Sequence, residues 1–589
     1  MSVPRPEHPR PDFMRAPWLS LNGPWEFAFD DADAGERGQW WREHEFPRAI
    51  TVPFPFESPA SGIGDTSIHP VCWYRRAFTL PHAFIGRRVR LNFGAVDYQA
   101  KVWVNGVLVG EHEGGYVPFA FDITPALVRG ENAIVVRVRD DPDPSQPRGK
   151  QASPPEPSGC FYTRCTGIWQ PVWLEGVGET HLESLRITTN LRDAAVTVRA
   201  EVAGPAGEYQ FVAKIAEPDG NEILIRREQT LLGHPGDGFE FRERLGHAQL
   251  WSPGHPHLYG LRLELRRGQV THDAVDSYFG MREVAVRDGK IWLNGEPCYQ
   301  RLALDQGYFP GGLYAAETDD AFRRDIELAK ACGFNGVRKH QKVEDPRYLY
   351  WADRLGFLVW GEMANTFEFS ERARSRFERE WREVIRRDRN HPCIIVWTPF
   401  NESWGVPEVG GDAAQQAFVE KIVDLTRAED PTRPVCDNSG WEHVKTDVCD
   451  IHDYTEKAED FKAAWAAFTL DARTVPKRHK ESWAAGRRYS GQPVVISEYG
   501  GIGMKQFPPA PGKKLTVYGT YMDSPEAFLA RYRAITRAIL DHPALWGFCY
   551  TQLTDIEGEV NGVLTFDRRP KVEPRLLAEI NGGKSAAER

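Results

Sequence analysis

The sequence lacks several features that would place it in other classes of protein. No window approaches the roughly 18 consecutive apolar residues of a membrane-spanning helix, and the Pro-rich start, MSVPRPEHPRPDF, has no apolar signal-peptide core. Lys and Arg are scattered rather than clustered, and the net charge is −10. We therefore predict a cytoplasmic protein whose partners include neither nucleic acid nor a membrane.

The cysteines and the Gly-rich turns also lack the patterns of metal and nucleotide sites. The nine cysteines contain no Cys-x-x-Cys, and the one close pair, Cys160 and Cys165, has no His nearby at zinc spacing. No Gly-rich phosphate loop follows a predicted strand, and no Ser or Cys nucleophile elbow is present. These patterns predict reduced structural thiols and no cofactor or metal site.

What the chain does contain is enough apolar sequence for several domains, with 41% hydrophobic residues in 589. Residues 1–178 predict an all-β domain. Its clearest signal is AKVWVNGVLVG, a hairpin with alternating apolar residues around Asn105-Gly106. Residues 179–281 again predict short strands, at the spacing of a β-sandwich.

A Pro-rich stretch, DPDPSQPRGKQASPPEPSG (141–159), follows the strands of the first domain. It has too few apolar residues to form a core. Two interpretations stay open, a linker between domains and a long loop held against a neighbouring domain.

From residue 282 to the end, apolar strand-like runs alternate with amphipathic helices. The stretch 319–333 predicts a helix with Thr318 as N-cap and Gly333 just beyond its end. Eight predicted strands, near 297–302, 334–338, 357–361, 394–398, 434–437, 448–452, 494–497 and 545–550, favour a (β/α)8 barrel. A helix between the fifth and sixth strands is doubtful, because only about ten residues join them. The alternative is an open doubly wound sheet.

In such a barrel, catalytic side chains lie at the carboxyl ends of the strands. Those positions here are acidic, amide-rich and aromatic; the candidates are Asp305, Arg338, His340, Glu362, Asn401, Glu402, His452, Tyr454, Glu498 and Gln552. Glu402 and Glu498 follow strands four and seven, which lie nearly opposite each other in the ring. Two facing carboxylates suit glycoside hydrolysis, in which one protonates the leaving oxygen and the other attacks or activates water.

The other candidates have alternative interpretations. Glu362 is a rival catalytic carboxylate or a structural contact, and Arg338 either fixes a catalytic carboxylate or forms a buried salt bridge. His340 and His452 line the site or are satisfied loop histidines. Tyr454 could donate to the nucleophile, and Trp404 or Trp441 could form a sugar platform or belong to a core.

The quoted motifs resemble glycoside hydrolase family 2, which includes β-galactosidases, β-glucuronidases and β-mannosidases. VWVNGVLVGEHEGGYVPFAFDIT is similar to the N-terminal jelly-roll sandwich of the family, and LWSPGHPHLYGLRLEL to its immunoglobulin-like domain. HPCIIVWTPFNESWG and PVVISEYGG resemble the acid/base and nucleophile motifs of its barrel. The resemblance implies domains at 1–178, 179–281 and 282–589, and a retaining mechanism with Glu402 as acid/base and Glu498 as nucleophile. It also assigns Arg338, His340, Asn401 and Tyr454 to the sugar subsite.

The departures from the family bear on the substrate. Similar β-glucuronidases hold the uronate with an Asn-x-Lys, whereas the aligned stretch here has Glu559-Val560-Asn561 and no Lys. We therefore predict an exo-acting enzyme for a neutral sugar, with a β-galactoside as the first choice. The alternatives for the activity are a galactofuranosidase, an arabinofuranosidase, a β-glucuronidase or a β-mannosidase. A non-catalytic carbohydrate-binding protein is the alternative of another class, and a homo-oligomer stays open. Because Phe400 and Trp404 flank Glu402, we also predict a raised pKa for Glu402.

Overall fold

The computed structural model describes residues 3–152, 159–218, 220, 222–233, 238–472 and 475–588. It contains two β-sandwiches followed by a (β/α)8 barrel, which confirms the predicted fold class. All nine cysteines lie in these ranges and are free thiols. Among the described residues, no helix combines the length and hydrophobicity needed to cross a bilayer.

The first sandwich consists of a six-stranded and a four-stranded sheet, with an apolar core between them. In spatial order, the strands of the larger sheet are Arg48–Val52, Gly23–Phe29, Val71–Thr79, Glu131–Arg139, Gln99–Val104 and Val107–Glu113. Those of the smaller sheet are Phe119–Asp122, Arg88–Phe93, Val172–Val177 and Trp18–Ser20. Asn105 and Gly106 have φ values of 51° and 80°, so the predicted tight hairpin is confirmed.

The second sandwich packs a five-stranded sheet on a three-stranded one. The strands of the first are Met14–Arg15, Val270–Phe279, Tyr259–Arg267, Gly207–Ala216 and Ile223–Gly233, and those of the second are His181–Asn190, Ala195–Ala203 and Phe239–Arg244. Met14–Arg15 therefore pairs with a strand of the second sandwich, although it precedes the first sandwich in the chain. A small sheet of Val284–Arg287, Lys290–Leu293 and Glu296–Pro297 leads into the barrel.

Parallel strands form the barrel. In chain order they are Gln300–Asp305, Gly336–Lys339, Leu358–Glu362, Ile394–Thr398, Asn438–Ser439, Cys449–His452, Val494–Gly500 and Leu545–Thr551. Seven of them overlap the predicted strands, and the fifth, predicted near 434–437, lies just beyond that range. The fifth strand is short, and it joins the fourth through the pairing of Phe400–Asn401 with Asn438–Ser439 and a bridge between Trp397 and Val435.

The helices that cover the barrel are α1 (Asp319–Ala331), α2 (Pro346–Leu355), α3 (Glu371–Asp388), α4 (Ala413–Glu429), α5 (Ala458–Trp465), α6 (Pro525–Leu540) and α7 (Pro574–Asn581). No α-helix separates the fifth strand from the sixth, in a segment that is fully described, which agrees with the doubt raised by its length. The side chain of Thr318 accepts a hydrogen bond from Ala321 N and caps α1, as predicted.

The Pro-rich stretch after the first sandwich packs against the barrel over residues 141–152, and residues 153–158 lie outside the described ranges. The amides of Arg148 and Gly149 both donate to the carbonyl oxygen of Asn365, at 3.1 Å. A Cβ atom at Gly149 would lie 2.0 Å from the carbonyl oxygen of Gln341, so only glycine allows this approach. The described part is therefore a loop held against the neighbouring domain, and it reaches the barrel mouth.

Candidate active site

The fourth barrel strand ends in a backbone turn that carries Asn401 and Glu402 into the barrel mouth. Ile394–Thr398 is fully buried. Phe400 points away from the mouth and stacks on Phe377 of α3, with ring centroids 4.7 Å apart. Glu402 and Ser403 then have φ values of 50° and 59°, a strained conformation for residues other than glycine. Phe400 thus anchors the strand to the helix layer and does not face the sugar site.

Hydrogen bonds to the fifth strand hold this turn in place. Glu402 N donates to Ser439 O at 2.9 Å, and Ser403 N donates to the side-chain oxygen of Asn438, also at 2.9 Å. The φ of Glu402 is therefore stabilised by its neighbours, and the direction of its side chain is set before any ligand binds.

Glu402 and Glu498 face each other across the mouth, as their positions on strands four and seven predict. One carboxylate oxygen of each lies within 4.8 Å of the other, and a ring nitrogen of His452 lies within the same distance of both. Retaining glycosidases place their carboxyl groups about 5–5.5 Å apart, whereas inverting enzymes need about 6.5–9.5 Å. The nearest oxygens of the two groups thus approach more closely than the inverting range. The same three groups could also bind a divalent cation, which would block both carboxylates.

Arg338 organises the acids from the second strand. Its side chain is fully buried, with Nε 2.7 Å from Glu362 Oε2 and Nη2 3.2 Å from Glu498 Oε1. Nη2 also donates to Asn401 Oδ1 at 2.6 Å. Both interpretations of Arg338 therefore apply, because it forms a buried salt bridge with Glu362 and fixes Glu498.

Glu362 is a structural partner rather than a second acid facing the mouth. Its side chain is fully buried, and Oε1 lies 2.9 Å from His340 Nδ1 and accepts from Gln341 N at 2.9 Å. Burial raises the pKa of Glu362, although the charge of Arg338 opposes this shift. Burial also lowers the pKa of His340 well below its ordinary value, and nearby cations add to the effect. His340 is therefore a neutral imidazole beside the buried salt bridge.

His452 lies between the two catalytic candidates. Its Nδ1 is 2.8 Å from Glu402 Oε1, and its Nε2 is 3.4 Å from Glu498 Oε1 and 3.3 Å from Ser439 Oγ. Burial alone would lower the pKa of His452, but the charges of Glu498 and Glu402 and the hydrogen bond to Glu402 raise it. Sequence analysis did not foresee this contact, because strands four and six are distant in the chain.

The predicted rise in the pKa of Glu402 is wrong. Burial does favour the neutral acid, but the hydrogen bond and charge of His452, followed by the charges of Lys150 and Arg338, lower the pKa below its ordinary value. Trp404, which was expected to desolvate the carboxyl group, instead stacks on Phe161 with ring centroids 5.4 Å apart. Glu402 and His452 therefore form a pair that shares one proton.

Tyr454 contacts the second carboxylate. Its hydroxyl donates to Glu498 Oε2 at 2.5 Å and lies 3.1 Å from Thr551 Oγ1 on the eighth strand. Glu498 therefore has Tyr454 on one oxygen and Arg338 on the other. This arrangement fixes the orientation of the carboxylate.

Asp305 does not join this cluster. In the parallel pairing of the first two strands, Leu304 lies opposite Arg338, and Asp305 lies opposite Lys339. Neighbouring residues in register point to the same face, so Asp305 shares the outer face with Lys339 and binds its Nζ at 2.7 Å. Asp305 therefore forms a buried ion pair with Lys339 between the strands and the helix layer of the barrel.

The remaining candidates lie around the mouth. Gln552 is buried and accepts a hydrogen bond from Gln306 Nε2 at 2.8 Å. Trp404 belongs to an aromatic group with Phe161 and Phe367, and Trp441 packs beside Lys480, whose Nζ is 4.5 Å from the ring centroid. Neither Trp contacts the two carboxylates through a hydrogen bond.

The structure adds residues from the first sandwich that the sequence analysis did not propose for the site. Tyr162 donates to Glu559 beside the eighth strand, and Gln306 Nε2 donates to the Tyr162 hydroxyl at 2.6 Å. Lys150 is 6% exposed, and its charge acts on Glu402. The sequence feature that points to this contribution is the Pro-rich stretch, for which one interpretation was a loop held against a neighbouring domain.

Comparison with known proteins identifies the three domains. Residues 18–146 match the model described as "Glycosyl hydrolases family 2, sugar binding domain". Residues 180–282 match "Glycosyl hydrolases family 2", and residues 284–577 match "Glycosyl hydrolases family 2, TIM barrel domain". The order of the matches is the order of the two sandwiches and the barrel.

Similar proteins have different substrate names. A β-glucuronidase of Paenibacillus borealis is 26% identical over 609 residues, which cover 95% of each chain. A β-galactosidase of Thermoanaerobacter pseudethanolicus is 31% identical over 345 residues, and the match spans only 45% of that protein. The solved structure of a β-glucuronidase of Ruminococcus gnavus with D-glucuronic acid superposes with a TM-score of 0.77 at 20% sequence identity. The superposition covers 98% of this chain and 100% of that one, and it shows that the two folds are similar. With its three domains each matched in order, the chain belongs to glycosyl hydrolase family 2, a family of glycosidases.

Proposed function

We propose that the protein is a retaining, exo-acting glycosidase that removes a terminal neutral sugar, with a β-galactoside as the leading substrate. The observation that carries this proposal is the spacing of Glu402 and Glu498, whose carboxylate oxygens lie within 4.8 Å of each other. An approach this close favours direct attack on a sugar carbon over the wider spacing that an inverting enzyme needs for an intervening water.

In the first step, a carboxylate oxygen of Glu498 attacks the anomeric carbon while Glu402 protonates the departing glycosidic oxygen. The bond to the leaving group breaks, and a glycosyl-enzyme ester forms. In the second step, Glu402 removes a proton from water, the water oxygen attacks the same carbon, and Glu498 leaves as a carboxylate. The pair of Glu402 and His452 holds the proton that this cycle needs, and Tyr454 and Arg338 keep Glu498 ready as the nucleophile.

Asn401 supports the transition state of both steps. Its Oδ1 accepts from Arg338 Nη2, and its backbone amide donates to Asn365 Oδ1 at 2.9 Å, so the amide group is held rigidly. The Asn401 side-chain NH₂ is then free to donate to the sugar 2-hydroxyl, a contact that strengthens as positive charge develops at the anomeric carbon.

The charges around the mouth support a neutral sugar. Four carboxyl groups, Glu362, Glu402, Glu498 and Glu559, are accompanied by three basic groups, Arg338, His452 and Lys150. Carboxyl groups thus outnumber basic groups, and a uronate would add a fifth carboxyl group to a site with three basic ones.

The test is a panel of aryl α- and β-glycosides, both pyranosides and furanosides, with the anomer of the first product identified by NMR. We expect retention, with the highest kcat/KM on a neutral β-glycoside. The Glu498→Gln variant controls for contaminating activity and should be inactive on every substrate. An inverted product, or near-normal turnover by Glu498→Gln, would overturn the mechanism, and a glucuronide as the best substrate would overturn the sugar class.

A further inference from the structure

Lys150 enters the barrel mouth from the first sandwich on a rigidly held loop. The two preceding amides, of Arg148 and Gly149, donate to the carbonyl oxygen of Asn365, whose side chain also accepts from Asn401 N. The Lys150 carbonyl oxygen accepts from Tyr162 N at 2.9 Å. Lys150 is thus held between Asn365, which contacts the residue before the acid/base, and Tyr162, whose hydroxyl donates to Glu559.

The side chain of Lys150 is more than nine-tenths buried, at 6% exposure, yet it has no ion pair or hydrogen-bond partner among the residues that the structure describes. Other buried lysines in the barrel do have partners; Lys339, for example, lies 2.6 Å from Glu344. The Nζ atom of Lys150 is not fully enclosed, so the ammonium keeps contact with solvent and presents three donors that a ligand can use. Such a group is expected where a ligand supplies the missing acceptors.

Lys150 lies among the acidic groups of the site. Burial would lower the pKa of Lys150, but the charges of Cys160, Glu559, Glu498 and Glu402 raise it, so the side chain is a cation close to both catalytic candidates. Glu559 forms no ion pair with it among the described residues; its oxygens accept from Tyr162 and from Asn561 Nδ2, the latter at 3.0 Å.

We propose that Lys150 is a substrate-binding residue, whose ammonium donates a hydrogen bond to a hydroxyl oxygen of the terminal sugar. This inference rests on the proposed glycosidase function, and it assigns part of the sugar subsite to the first sandwich. The barrel alone would therefore hold an incomplete site.

The test combines Lys150→Met with monodeoxy substrates. Met keeps the apolar stem of the side chain and removes its charge. We expect kcat/KM on the best neutral aryl glycoside to fall by about 10- to 100-fold, the usual effect of one hydrogen bond to a charged group. On the one deoxy analogue that lacks the contacted hydroxyl, the variant and the original protein should be equal. Lys505→Met, at an exposed lysine paired with Asp523, is the matched control and should leave kcat/KM unchanged.

A loss below about threefold, or an equal loss on every deoxy analogue, would overturn the assignment. Calorimetry in a Glu498→Gln background separates this failure from a failure of the proposed function. There, the dissociation constant of the methyl glycoside of the same sugar should be about 10- to 100-fold weaker with Lys150→Met than without it. Equal affinities would refute the role of Lys150 even if the original protein is a retaining glycosidase, whereas weaker binding would support that role even if turnover is absent.

Discussion

Arg338 is the most informative side chain for the energetics of the site. It is fully buried and bridges Glu362, Glu498 and Asn401. Arg338→Met would leave the fully buried Glu362 carboxylate without its cation, and breaking a buried pair by removing one partner typically costs about 3–5 kcal/mol of unfolding free energy. Arg338→Met/Glu362→Gln should cost clearly less than the single substitution, because the fully buried Glu362 charge is removed together with its cation and only the contact of Arg338 with Glu498 is still lost.

The pH dependence of this loss has a definite sign. Burial already raises the pKa of Glu362 beside Arg338, and loss of the guanidinium would raise it further. A carboxyl group whose pKa is higher in the folded than in the unfolded protein destabilises the fold as the pH rises above its unfolded pKa. Arg338→Met should therefore lose more stability at pH 8 than at pH 5, and the double variant should show little such dependence.

Urea unfolding of both variants, followed by Trp fluorescence at the two pH values, measures these differences. Trp360, Trp381 and Trp397 lie in the barrel core, whereas Trp25 belongs to the first sandwich, so the transition assigned to the barrel is the one that should shift in the variants. A cost of less than about 1 kcal/mol for Arg338→Met, or additive effects in the double variant, would refute the view that Arg338 compensates buried charge.

Two further predictions concern the proton on Glu402. Glu402→Ala should slow hydrolysis of glycosides with poor leaving groups by about 10²- to 10⁴-fold, while largely sparing the first step for dinitrophenyl glycosides. Azide should restore turnover, with a β-glycosyl azide as product. Equal losses on all substrates without rescue would contradict the acid/base role. His452→Asn should move the basic limb of the kcat/KM profile to lower pH. The reason is that the proton shared with Glu402 is retained up to the raised pKa of His452, which faces Glu402, Glu498, Arg338 and Ser439. A limb that stays in place or moves upward between pH 4 and 9 would contradict this.

The barrel and its two facing acids could be predicted from the sequence because they follow from short-range rules. Apolar runs of strand length, separated by amphipathic helices, predict the parallel strands. The carboxyl ends of those strands meet at one rim, so the sequence alone predicts that Glu402 and Glu498 face each other. The missing fifth helix was foreseen for an equally simple reason, the short connection between two strands.

The residues that prediction misplaced depend on register and on contacts between distant segments. Asp305 follows a strand as the other candidates do, but its pairing opposite Lys339 turns it outward. The lowered pKa of Glu402 arises from two distant residues: His452 lies 50 residues downstream, and Lys150 lies in another domain. No periodic pattern encodes such contacts, because they are set by how the loops and domains pack.

The central claim, that Glu498 is the nucleophile, is tested most directly by trapping the glycosyl-enzyme. A 2-deoxy-2-fluoro glycosyl fluoride of the preferred sugar should inactivate the protein with a stoichiometry of about one label per chain, since the fluorine slows the second step more than the first. Proteolysis and mass spectrometry should then find the sugar esterified to Glu498. A label on Glu402 or Glu362, or inactivation without a covalent label, would contradict the account.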